Sequence, residues 1–168
     1  MIDGIWTLLK SWFGSSSPLR DALFEQYAQP INQKMLQYIQ KTGVLSLDGV
    51  DIATGYAGGN KGANPEGVNN PAMQNVPKVG PLPCGSYTLG APMNSATTGP
   101  YSIPLIPDSA NEMFSRSGFF IHGDLLGHVG EHAASEGCII MPLAIRQQAY
   151  HSGEPLYVVS GVTEPEVA

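Results

Sequence analysis

Charge is scarce in this chain. Asp, Glu, Lys and Arg make up only 13% of its 168 residues, and 8 basic against 14 acidic residues leave a net charge of −6. That balance matches a phosphate backbone poorly, so no nucleic-acid partner is expected. Cysteine is nearly absent: Cys84 and Cys138 are too few for a disulfide framework, although they suffice for one bridge. Residues 1–13 hold no basic leader and no small-residue cleavage site, and their apolar stretch is too short to cross a bilayer. No cleavable export signal and no stable membrane insertion are therefore expected. No internal repeat interrupts this picture.

What the chain does hold is a 42% hydrophobic share, which argues against disorder, together with 20 glycines and 14 prolines, which predict a fold rich in turns. Its length is that of one domain plus a short appendage. Ile2, Ile5, Trp6, Leu9, Trp12 and Phe13 recur at helical spacing and predict an amphipathic helix, suited to docking on protein more than on anionic lipid. Residues 14–18 read as a linker. Leu19, Leu23, Tyr27, Ile31, Met35, Tyr38 and Ile39 predict one or two further helices, broken near Pro30 and stopped at Gly43. The pattern then changes to period two. Asp48 and Gly49 between two apolar runs predict a hairpin, and residues 55–80, dense in Gly, Asn and Pro, predict a long loop lining a site. Further strands are expected at 86–89, 101–106, 118–122 and 155–160, with a short helix over 142–150. The expectation is a helical N-terminal segment, 1–43, ahead of a mainly β (α+β) catalytic domain, 44–168.

The chemistry concentrates in two short stretches. His122 ends the apolar run Phe119, Phe120, Ile121 and is followed by Gly123 and Asp124; sixteen positions later Cys138 follows Ser135, Glu136 and Gly137. A thiolate beside an imidazole, with backbone N–H groups nearby, is what acyl transfer needs. The imidazole should ease ionisation of the thiol, so that the two form an ion pair. Other readings stay open on the residues alone. His122 can be a core histidine, and His128 and His132 with His122 and Cys138 can suggest zinc. The two glycines of 125–133 instead favour a loop over the site. Caspase-like peptidases separate His and Cys by about fifty residues and papain-like ones place Cys first, so both fit poorly.

Ile121, His122, Gly123 and Asp124 followed by Ser135, Glu136, Gly137, Cys138 and Ile139 resemble the motif of L,D-transpeptidase (YkuD-like) catalytic domains. Residues 79–89 are similar to the strand that precedes that motif, and the likeness spans roughly 44–160. Gly67 to Pro71, Asn111 to Gly118 and Ala134 to Ile140 resemble, more narrowly, the type VI secretion L,D-transpeptidase effectors, in which Glu136 replaces a histidine of the wider family. The resemblance implies a YkuD-like β-sandwich or mixed-sheet fold and a Cys138 nucleophile acting on peptidoglycan stem tetrapeptides. His122 would be the general base, oriented by the Gly123 carbonyl or by Asp124, and the Gly137 and Cys138 N–H groups would hold the oxyanion. Ser135 would shape the turn and, with Glu136, meet substrate; Arg116 or Arg146 would replace an arginine that the wider family carries near Ile140. No cofactor and no metal are implied. Such an effector would be made in the cytoplasm, act in a target cell's periplasm, and have an immunity protein and a secretion-apparatus component as partners. A housekeeping wall enzyme and an inert wall-binding module are the alternatives.

Overall fold

The computed structural model describes residues 34–161. The helices expected over 1–33 lie outside the described residues. Among the described residues the strands are β1 (Leu36–Ile39), β2 (Val44–Leu47), β3 (Val50–Thr54), β4 (Tyr56–Ala57), β5 (Gly85–Leu89), β6 (Met93–Ser95), β7 (Gly99–Pro107), β8 (Phe120–His122), β9 (Ile139–Ile140) and β10 (Leu156–Val159), with one α-helix, α1 (Leu143–His151). They form a sheet in the order β3-β2-β1-β10-β5-β7-β8-β9-β4, with β6 added on β7. The pairs β1/β10 and β8/β9 are parallel and the remainder antiparallel. The mainly β, mixed-sheet class read from the sequence is the class that folds.

The hairpin β2–β3 turns at Asp48 and Gly49, both with positive φ, 53° and 78°, as an Asp-Gly pair favours. The strand β1 corrects the sequence reading, which carried helix through to Gly43. Leu36, Tyr38 and Gln40 are all fully buried, a period of two. Over four residues that period is hard to tell from a helical one, and the decisive contact is remote: Leu36 pairs with Leu156 and Tyr38 with Val158. Gly43 ends no helix but turns β1 into β2, and a Cβ there would meet the Gly55 carbonyl oxygen at 2.0 Å.

Gly55 itself joins β3 to β4, the two ends of the strand order, so the sheet nearly closes on itself and its edges are short. The core is the set of alternating side chains turned inward. Ile121 on β8 sits fully buried between Ile103 on β7 and Ile139 on β9, and burying each such side chain contributes about 1.5–3 kcal/mol. The helix α1 starts after Pro142 and packs on β7 and β8. Flanked by β7 and β9, the strand β8 gives the residue that ends it a stiff support.

Candidate active site

Ile121 and Ile139 face the core as register partners on parallel strands. Period-two alternation therefore sends Phe120, His122 and Ile140 to the opposite face, with His122 beside Ile140; Cys138, one residue before β9, comes beside Phe120, whose N–H its thiol meets. Both functional side chains open on one cavity of about 510 Å³. His122 is 4% exposed, and its Nδ1 lies 2.8 Å from the Gly123 carbonyl oxygen. A carbonyl only accepts, so Nδ1 carries the proton and Nε2 is left as the base.

Cys138 is half-buried by exposed area, yet burial pushes its thiol up to about 11. The Phe120 N–H and the Arg116 charge pull it down, and Glu136 pushes it further up. His122 moves the other way: burial lowers it from 6.5, and Arg146 adds to the lowering against the Gly123 hydrogen bond and Asp124. Both shifts favour the neutral forms near pH 7. Burial thus works against the expected resting ion pair and towards a thiol beside a neutral imidazole, because desolvation opposes either charge. Cys84 and Cys138 are free thiols, and Cys84 bonds Gln40 Oε1 at 3.3 Å.

Ser135 organises the turn before the cysteine. It is fully buried, and its Oγ accepts from the N–H of Gly58 at 2.8 Å and of Gly137 at 3.0 Å while donating to the Cys138 carbonyl at 2.7 Å. One donor and two acceptor sites are thereby used. Two expectations change: Ser135 has no surface for substrate, and the Gly137 N–H is already bonded and offers nothing to an oxyanion. Gly137 is still required, since at φ +131° a Cβ would meet Arg116 Nη2 at 2.5 Å.

The arginines also hold the scaffold. Arg116 is 8% exposed and donates to the carbonyls of Gln74, Pro81, Gly80 and Glu136. Arg146, 5% exposed, donates to those of Met141, Pro100 and Tyr101. A substrate carboxylate would have to displace those partners, so neither guanidinium is arranged as the expected anion holder. Asp124 likewise makes no hydrogen bond to His122. It accepts from Tyr56 Oη at 2.7 Å and from the N–H of Leu125 and Gly130, pinning the neck of the loop 125–133. Tyr56 Oη in turn accepts from Ala134 N–H. His132 lies on Tyr56, ring centroids 4.5 Å apart, and His128 pairs with Glu131 at 2.8 Å. Among the described residues no group of three or more His, Cys, Asp or Glu side chains is placed to hold a metal.

Glu136 lines the cavity and meets Lys61 at 3.4 Å. Lys61 and Lys78, both lining residues that sequence reasoning missed, come from the Gly-, Asn- and Pro-rich stretch expected to border the site. Their signal was faint, because nothing in a lone lysine betrays a loop folded over a cysteine. A larger hollow of about 610 Å³ lies by Lys41, Asn69 and Gln74. It is lined by neither His122 nor Cys138.

Comparison with known families supports a transpeptidase-type enzyme. A family model described as the Tlde1 domain matches residues 53–154. The chain belongs to that family, the type VI secretion L,D-transpeptidase effectors. The NMR structure of the catalytic domain from E. faecium L,D-transpeptidase matches it with a TM-score of 0.44 at 16% identity, over 77% of this chain and 99% of that one. No curated protein matches the chain in sequence. Among the described residues no helix is long and apolar enough to cross a membrane.

Proposed function

We propose that this protein is a cysteine acyltransferase acting on the stem tetrapeptides of peptidoglycan. One arrangement carries the reading: His122 ends β8 and Cys138 immediately precedes its parallel neighbour β9, both open on one cavity, and the imidazole tautomer is set by the Gly123 carbonyl. Cys138 Sγ attacks the carbonyl of the L-centre of the stem's diamino acid as its proton passes to His122 Nε2. With the Gly137 N–H already bonded to Ser135, the Cys138 N–H is the remaining expected donor to the oxyanion. The C–N bond then breaks, the proton goes to the departing D-Ala amine, and a thioester remains. An incoming amine completes a crosslink or an exchange, whereas water completes a trimming reaction; in each case the acceptor's proton returns through His122 to the thiol.

Membership of the effector family supports a role as an antibacterial toxin working in the periplasm of a target cell, with an immunity protein in the producer and a secretion-apparatus component as carrier. The test is mass spectrometry of purified tetrapeptide muropeptides incubated with the protein and with Cys138→Ala. Loss of D-Ala, a swapped D-amino acid or a new dimer is expected, each abolished by the substitution. Unchanged muropeptides with folded, reduced protein would sink the acyl-transfer reading and bring the inert wall-binding module forward.

A further inference from the structure

We propose that Lys61 and Lys78 form a carboxylate subsite that holds the free C-terminal carboxylate of the residue leaving the peptide. The inference rests on the acyl-transfer reading and adds to it what makes the enzyme act at a chain end. Among the described residues lining the cavity, positive charge is carried by Lys61, Lys78 and Arg116. The Arg116 guanidinium is spent on four carbonyls and nearly buried. That leaves the two lysines to meet an anion.

Both also sit in left-handed backbone, as do seven other non-glycine residues among those described. Lys61 has φ 54° and Lys78 φ 67°, the left-handed region that residues with a Cβ enter at a cost. Glycine would suit both positions better, so replacing either lysine by glycine removes the side chain without straining the turn. The two turns are stitched together: the Asn60 N–H donates to the Lys78 carbonyl at 3.1 Å and the Lys61 N–H to the Ser135 carbonyl at 2.9 Å. Both ammonium groups are thereby carried on backbone bonded into the segment that leads to Cys138.

The charges are complementary to a peptide terminus. Lys78 makes no ion pair among the described residues, whereas Lys61 pairs with Glu136 with side chains 58% and 37% exposed. So open a pair is readily shared with an incoming anion. Lys61 also offsets the repulsion that Glu136 would exert on a carboxylate entering beside Cys138. Much of the rest of the lining is neutral, with the hydroxyls of Ser95, Thr97, Thr98 and Ser117 among it. The lysine side of the cavity is therefore where a terminal carboxylate is held.

The experiment compares kcat/KM for a stem tetrapeptide ending in a free carboxylate with that for the same peptide ending in a carboxamide. Wild-type protein should prefer the acid by about 10- to 100-fold, the range of a charge-assisted hydrogen bond. Lys78→Gly and Lys61→Gly should each lower the preference through KM, and the double variant should bring the ratio close to one. Because glycine relaxes the left-handed backbone, Tm should hold or rise, and a lost preference cannot then be put down to misfolding. Lys41→Gln, beside the other hollow, should keep the wild-type ratio. Equal turnover of both peptides by wild type, or an unchanged ratio in the double variant, would overturn the subsite while leaving acyl transfer standing. If wild type turns over neither peptide, the acyl-transfer reading fails and the subsite falls with it.

Discussion

Alkylation of Cys138 by iodoacetamide should climb with pH by about tenfold per unit from pH 6 to pH 10, with no plateau at neutral pH. Only the thiolate reacts, and burial holds this thiol near 11 instead of its ordinary 9.0. At pH 8 a group at about 11 is about 0.1% thiolate, against roughly 10% for one at 9.0, so labelling should run about 100-fold below an unperturbed cysteine. The Phe120 N–H and Arg116 favour the thiolate but lose to desolvation and to Glu136. His122 supplies no counter-charge at pH 8, because burial lowers its pKa from 6.5. His122→Asn should therefore leave the labelling profile within about threefold while abolishing turnover, since the histidine acts as a base during attack. Peptide mapping by mass spectrometry separates Cys138 from Cys84, whose thiol burial also raises. A plateau at or below pH 8, or a more than tenfold loss of labelling on His122→Asn at that pH, would mean a resting ion pair and refute the argument.

Ser135→Ala removes the donor to the Cys138 carbonyl and strands the Gly58 and Gly137 N–H groups. Three bonds at about 1 kcal/mol each predict a loss of about 3 kcal/mol, a Tm lower by about 6–12 °C by calorimetry; a change under about 0.5 kcal/mol would show that the hub is dispensable. His122 makes stability depend on pH in a definite direction. Its folded pKa lies below the 6.5 of the unfolded chain, so its contribution is full above 6.5 and is lost as pH falls through the lower folded value. Urea unfolding at pH 7.5 and 5 should show that loss, and His122→Gln should shrink it; an undiminished slope would assign the effect to other groups. Tyr56→Phe deletes the hydroxyl that bonds Asp124 and accepts from Ala134, so limited proteolysis within 125–133 should speed up several-fold, with little change at other sites. Cleavage at the wild-type rate would show that the Leu125 and Gly130 bonds to Asp124 hold the loop unaided.

Much of the β architecture was legible because its signals are local. Asp48 and Gly49 between apolar runs specify a turn through backbone conformation alone, and the runs around 86–89, 101–106 and 118–122 alternate or bury as strands do. The strand β1 was not legible, since Leu36 and Tyr38 owe their extended form to partners at Leu156 and Val158 near the far end of the chain. Nor was β9, whose two residues Ile139 and Ile140 become a strand only beside β8 and β4.

The candidate site divides in the same way. From sequence alone came His122 and Cys138, because residue type, glycine neighbours and short spacing are written in consecutive letters. The Gly123 carbonyl as the partner of Nδ1 was also readable, being the next residue in the chain. Only the folded chain could decide that Ser135 takes the Gly137 N–H, that Asp124 ties down a loop, and that both arginines are used up on carbonyls. Those outcomes depend on Gly58, Tyr56, Gly80 and Tyr101, residues remote in sequence whose approach is set by packing. The protonation of the pair was decided there as well. An isolated thiol and imidazole invite an ion pair, and it is burial, a property of the whole sheet and its loops, that shifts both towards the neutral form.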